Sequence, residues 1–364
     1  MNYKHIAAVV TSLVLFLMIL YVKHHSVFSY RFKPSAIQLY ERSQDIPHEV
    51  KDRIFLSDSD IHIAAGYLYV TGHEPIAYNF QHPPLIKYLF GYSTLLFKTP
   101  YVIQILLAIT YIILGYLFAW RITKSFPISA VSTLFLATDP VLHDVASQAL
   151  LDLGQSVFAL SFVMASLFIP GSFILQGILL GLFAASKFWS TALFFFAATV
   201  IYRRLTTKKW HIIHLLKTMG VAGIVFCLVY SSSFIAHKGA FNIIFFQLKI
   251  LKYWFHQSLS SMPAASLLLF MTGYVKSWWG LRDWVWTKPW SIFWPVTFIS
   301  TLCMIAQRKM TNELKFTSIL PIIFLIYLGA QAPFTRYFVI ILPYLYVCLS
   351  FALFSLVKKI FIKK

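Results

Sequence analysis

Ten stretches of this chain, near 6–22, 101–119, 125–138, 154–169, 172–185, 187–201, 217–236, 290–306, 316–333 and 337–357, are apolar over close to the length of a membrane span. A perpendicular helical span takes about 20 residues, so the shorter runs are expected to be tilted or partly covered by protein. The pattern excludes most soluble folds. Of 364 residues, 59% are hydrophobic, 18% aromatic and 12% charged, whereas a soluble domain is about 45–50% apolar and about 25% charged. One soluble core cannot hide so much Phe, Leu and Ile, and lipid has to act as solvent for the remainder. The reading is an all-α polytopic membrane protein of about ten transmembrane helices, a single integral membrane domain over 1–364.

A formal charge of +19 first suggests nucleic acid. The basic residues, however, sit in short clusters between apolar runs, as loops facing an anionic cytoplasmic leaflet do. Membrane lipids are therefore the expected partners, and nucleic acid is not. Cys227, Cys303 and Cys348 lie inside apolar runs without metal-like spacing and read as packing residues. No small-residue cleavage site follows the run at 6–22, which reads as an uncleaved first helix rather than a signal peptide.

An eleventh apolar run, 85–97, decides the topology. If it spans, Arg203, Arg204, Lys208 and Lys209 face outward. If it lies in the interface, both termini are cytoplasmic, and Arg121, Lys124, the 203–217 cluster, Arg308, Lys309, Lys315 and the terminal KKIFIKK all fall inside. The positive-inside rule favours the second arrangement. It leaves two outer loops, 23–100 with interfacial helices and 237–289, and an outer turn at 139–153. Of the twelve acidic residues only Glu313 is then inside. Carboxylates at the outer rim are costly unless solvated or used, which makes that rim the candidate site. Glu41, Asp45, Glu49 and Asp52 read as the wet face of an interfacial helix.

The chemistry concentrates in LSDSDIHIAAGYLYVTGHEPIAYNFQHPPLIKYLFG, residues 56–91. Asp58 and Asp60 precede a helix-like segment that stops at Gly72. At Gln81-His82-Pro83-Pro84 two prolines forbid a helix and hold an extended corner, and Lys87 follows. A carboxylate, an imidazole and an ammonium can meet in such a loop. An acidic residue fourteen positions before a glycine, then HPPL-x-K, resembles the first outer loop of protein O-mannosyltransferases and related GT-C glycosyltransferases; the lipid A aminoarabinose transferases share the layout. The resemblance places the family's catalytic aspartate on Asp58 and puts Ser59 where the family carries glutamate, leaving open a part for Asp60. Its Pro-Pro corner falls on His82, Pro83 and Pro84. Weaker likenesses extend it over about 50–350. ATDPVLHDVASQALLD (137–152) is similar to the outer turn ending in Leu-Asp, GLFAASKFWS (181–190) to the run reaching Lys-Trp, and FTRYFVIILPYL (334–345) to the Arg-Tyr start of a late core helix. The large soluble insertion of the eukaryotic mannosyltransferases has no counterpart here.

The resemblance implies an inverting transferase that moves a sugar from a polyprenyl-phosphate donor to an acceptor hydroxyl of a protein, lipid or glycan, on the non-cytoplasmic face of what reads as a prokaryotic plasma membrane. Such a reaction needs one base, assigned to Asp58, and cations for the leaving phosphate, assigned to His82, Lys87, Lys187 and Arg336. Gln81, Asp139 and Asp152 are supporting residues. Each has a plainer alternative: Lys187 and Arg336 as snorkelling cations, His82 as a cap on the corner, Asp139 as a turn former before Pro140, Asp152 as partner of a basic residue. No cofactor is expected, although Asp58-Ser59-Asp60 is an acid-x-acid triplet of the kind that can bind a divalent cation. The tryptophans of 276–290 read as an aromatic belt or a sugar platform. A transporter of lipid-linked substrates, or a scaffold that has lost activity, are the competing readings; the first would show internal repeats and midplane charges, neither of which is evident.

Overall fold

A computed structural model of the chain describes residues 3–46, 52–237, 240–257, 262, 264–276, 283–307 and 310–361. In chain order the helices are α1 (Tyr3–Lys23), α2 (Ser26–Ser29), α3 (Ser35–Tyr40), α4 (Asp58–Val70), α5 (Leu85–Phe97), α6 (Tyr101–Thr123), α7 (Phe126–Thr138), α8 (Pro140–Ala146), α9 (Leu151–Phe168), α10 (Phe173–Ser186), α11 (Trp189–Thr207), α12 (Ile212–Val229), α13 (Ser231–His237), α14 (Ala240–Gln257), α15 (Ala265–Thr272), α16 (Phe293–Ile305), α17 (Asn312–Leu328) and α18 (Leu342–Phe361). A 3-10 turn, Thr335–Ile341, leads into α18, and two short strands, β1 (Tyr274–Lys276) and β2 (Trp284–Trp286), pair antiparallel.

Each of the ten apolar runs holds a helix. Among the described residues five helical stretches are both long and apolar enough to cross a membrane: α1, α6, α9, α12 and Thr335–Lys358. Shorter apolar helices, α5, α7, α10 and α16, accompany them. The chain is a multi-pass integral membrane protein. Local signals set the ends of α4, the stop at Gly72 as expected. Ser57 caps α4 by accepting from the Asp60 amide, and Gly72, at φ +100°, takes the left-handed turn that stops it. The segment expected as the second outer loop contains α14, α15 and the strand pair; its mixture of Lys249, Lys252 and aromatics hid an amphipathic helix. Glu49, Arg308, Lys309, residues 277–282 of the tryptophan stretch and the last three residues of KKIFIKK lie outside the described residues.

The chain divides into two compact units, one of Met1–Ile19, Ile109–Asp144 and Trp254–Lys364, the other of Leu20–Ala108 and Val145–Tyr253. In the first, α7, α16 and α17 pack on α18, and Phe270 stacks on Trp294 with Phe338 edge-on to both. In the second, α10 packs against α9 and α12, and α4 against α5. The α4–α5 contact is so close that a Cβ on Gly66 would strike the Lys87 carbonyl and one on Gly91 the Gly66 carbonyl; only glycine permits that approach. Ile63, Ile86, Phe90, Ala149 and Leu151 form the apolar cluster beneath the candidate site.

Candidate active site

The second unit gathers the ends of several elements. Asp58 and Asp60 open α4, and both are exposed. Asp60 is turned back on its own cap: Ser57 Oγ donates to Asp60 Oδ2 at 2.7 Å while the Asp60 amide donates to Ser57 Oγ, a reciprocal capping arrangement. Ser59 and His62, on the inner face, tie α4 to the turn before α9. The Ala149 amide donates to Ser59 Oγ (2.9 Å), and His62 Nδ1 lies 3.0 Å from the Ala149 carbonyl. Ser59 thus does a backbone-anchoring task.

Three residues beyond Ala149, Asp152 stands in the first turn of α9. Lys187, at the end of α10, donates to Asp152 Oδ1 at 2.6 Å in a buried ion pair. The basic partner expected for Asp152 is therefore Lys187. The next residue, Phe188, carries the Lys187 ammonium 5.2 Å from its ring centroid and faces the His82 ring edge-on at 4.9 Å. His62 and His82 are 6.1 Å apart. Gln155 donates to the Phe188 carbonyl. His62, His82, Asp152, Lys187 and Phe188 therefore form a linked set next to the start of α4. Tyr30 and Tyr101 pair edge-on at 5.3 Å on the Asp60 side, where burial, then Tyr101 and the Asp60 charge, push the Tyr30 phenol up to about 12.

Lys87 differs from the phosphate-facing cation expected of it. It is completely buried, and Nζ donates to the Asn79 carbonyl (2.6 Å), Asn79 Oδ1 (3.0 Å) and the His82 carbonyl (2.8 Å). Three acceptors match the three protons of an ammonium. Asn79 presents both oxygens because its backbone is left-handed, φ 43°, a conformation Asn tolerates. Asp45 is also not on a wet face. It is buried and accepts from Tyr40 OH (2.6 Å), Asn79 Nδ2 (2.9 Å) and Gln81 Nε2 (3.2 Å). The helix it was assigned to ends at Tyr40, and the chain then folds inward; Glu41 and Asp52 stay exposed.

Asp139 and Arg336 belong to the first unit. Buried Asp139 accepts from the Val141 amide (2.8 Å), Trp294 Nε1 (2.9 Å) and Tyr346 OH, joining α8, α16 and α18. Arg336 is half-buried in the 3-10 turn, its guanidinium 4.4 Å from the Phe334 ring centroid. Among the described residues no three His, Cys, Asp or Glu side chains cluster as metal ligands would. Sequence reading passed over His62, Phe188 and Asn79, and put buried Asp45 on a wet face. Only His62 had a local signal, standing one helical turn after Asp58.

A helical membrane bundle in which two acidic residues open α4 and a Pro-Pro corner precedes α5 is similar in fold to solved GT-C structures. The particular likeness is to two structures of ArnT, the aminoarabinose transferase of Cupriavidus metallidurans. The one bound to undecaprenyl phosphate has a TM-score of 0.60 at 16% identity, over 88% of this chain and 58% of that one. The apo form gives 0.62 at 15% identity, over 90% and 60%. The apo oligosaccharyltransferase of Archaeoglobus fulgidus follows at 0.53 and 13%, over 99% of this chain and 52% of its own. At such identities the likeness is one of fold, and this chain spans no more than 60% of the ArnT chains. No family model matches the sequence, and the comparison with curated proteins finds no match.

Proposed function

We propose that the protein is a glycosyltransferase that moves a sugar from a polyprenyl-phosphate donor to an acceptor hydroxyl, with Asp58 as the base. The observation that carries this reading is the grouping of His62, His82, Asp152, Lys187 and Phe188, with His62 one helical turn after the exposed Asp58 on α4. In the proposed reaction Asp58 takes the acceptor's hydroxyl proton, and the freed oxygen forms a bond to the anomeric carbon. The bond from that carbon to the donor phosphate breaks, and the phosphate leaves with the electron pair. A phosphate leaves without a proton, so one carboxylate is enough. His82 and Lys187 would meet the charge gathering on the leaving group, with Asp152 holding Lys187 in place.

Asp58 is preferred to Asp60 because it stands fourteen positions before Gly72, where the resemblance puts the catalytic aspartate. An apolar cavity of about 270 Å³ supports a lipid-borne donor. It is lined by Leu180, Ala184, Trp189, Ala192, Met219 and Phe226 among others, and Trp189 is two residues past Lys187. ArnT, whose fold is similar, has been captured with undecaprenyl phosphate. Lys87 is reassigned here from the phosphate to the scaffold, since its protons go to the loop.

The test is sugar release from labelled polyprenyl-phosphate mannose, glucose and aminoarabinose by purified protein in membrane extract. Asp58→Asn is expected to lower release by about 10²–10⁴-fold, while Asp60→Asn retains it. Equal turnover by wild type and Asp58→Asn removes Asp58 from the reaction. Movement of intact donor across vesicles without cleavage would replace the enzyme with a transporter.

A further inference from the structure

Asp45 and Lys87 carry opposite charges and are both buried, yet no ion pair joins them; Asn79 stands between. Its Nδ2 donates to Asp45 Oδ1 at 2.9 Å, and its Oδ1 accepts from Lys87 Nζ at 3.0 Å. Only one orientation of the amide satisfies both neighbours, with its N–H end toward the anion and its oxygen toward the cation. The same ammonium holds the carbonyl of His82, and the same carboxylate holds Gln81 one residue earlier. The Tyr69 hydroxyl fixes the other flank of the loop through the Tyr78 carbonyl at 2.6 Å.

We propose that Asp45, Asn79 and Lys87 form a buried charge relay that positions the His82-Pro83-Pro84 corner, so that Asp45, some 37 residues before His82, is a positioning residue for the reaction. The role given to His82 rests on the transferase reading above. A satisfied chain of this kind orients a rigid loop more strongly than its separate bonds would, because each bond polarises the next. Replacing the carboxylate by an amide leaves the ammonium without its counter-charge in a dry site, which is where the loss of one partner is felt most.

The relay has an electrostatic signature. Burial pulls Lys87 down to about 7 while Asp45 pulls it back up. The other groups facing Lys87 are the Tyr69 ring, with its centroid 5.3 Å from Nζ, and Tyr40, which reaches it through Asp45. The Asp152–Lys187 pair at the ends of α9 and α10 brings no net charge. Activity that depends on the ammonium therefore falls as pH rises through this region.

The experiment is a pH profile of sugar transfer by the full-length protein. Asp45→Asn is expected to lower transfer about 10–100-fold and to move the alkaline limb to lower pH. The exchanged variant, Asp45→Asn with Asn79→Asp, keeps one carboxylate, one amide and the net charge but sets the carboxylate beside Lys87, with Gln81 turning its own oxygen toward the new amide. It is expected to recover transfer and to move the limb to higher pH. A limb that stays in place in both variants overturns the proposal, as does failure of the exchanged variant to fold. If wild type transfers no sugar at all, the transferase reading fails, and the relay is judged by melting. Losses in Asp45→Asn and Lys87→Met that simply add in the double variant overturn it; a double variant no worse than the worse single supports it.

Discussion

Lys187 and Asp152 have side chains only 3% and 5% exposed, so neither can exchange its partner for water. Removing one member of such a pair leaves a bare charge in a dry site, at a cost of about 3–5 kcal/mol, while replacing both with apolar groups is close to neutral. Lys187→Met is expected to lower the melting temperature in detergent sharply, and Lys187→Met with Asp152→Leu to restore most of it. A Lys187→Met protein that melts like wild type would mean that the pair does not hold α9 to α10. At this scale the motif residues were readable because they sit at fixed spacing: Asp58 fourteen positions before Gly72, and His82 before two prolines. Asp45 was not. It lies among Glu41, Glu49 and Asp52 and looks like one more wet carboxylate; what buries it is Asn79 and Gln81, more than thirty positions away. A contact of that span leaves no local trace.

The α4–α5 pair depends on two glycines more than on any side chain. A methyl group at Gly66 would meet backbone, the Lys87 carbonyl and, at 3.1 Å, the Gly91 amide, and backbone cannot swing aside as a side chain does. Overpacking costs about 1–3 kcal/mol even where neighbours can yield. Gly66→Ala is thus expected to destabilise by at least that much and to disturb the corner that follows α4. Gly223→Ala on α12 is the control: a Cβ there meets nothing within 4 Å, and alanine favours a helix over glycine by about 1 kcal/mol. Thermal melts that rank the two variants the other way would refute the close crossing. Hydropathy located the helices well, since each apolar run contains one. It did not show the break at Tyr230 between α12 and α13, or α14, whose charges and aromatics share one helix without making an apolar run.

For the whole molecule, composition alone declared the solvent, and the loop motif declared the fold class. The division into two compact units was not readable, because it arises from how distant segments cluster, with α1 and α6 each contributing to both. The orientation in the membrane still rests on charge. Arg203, Arg204, Lys208 and Lys209 are expected on the cytoplasmic side and Asp58 on the other. Single cysteines at positions 58 and 208, in a background lacking Cys227, Cys303 and Cys348, should react with an impermeant thiol reagent from opposite faces of sealed vesicles. Labelling from the same face would break the ten-span topology and move the proposed chemistry to the wrong compartment.

Lys87 also couples the folding of the entire chain to acidity. In water its amine titrates near 10.5, in the fold near 7. Between those values the unfolded chain takes up a proton that the folded one refuses, so unfolding becomes harder as the medium turns alkaline, and below about 7 the dependence vanishes. Melting curves should climb from neutral pH toward 10, and Lys87→Met should flatten them. The protein would then be sturdiest under the conditions in which the loop has lost its cation, and would work best where its architecture is under more strain.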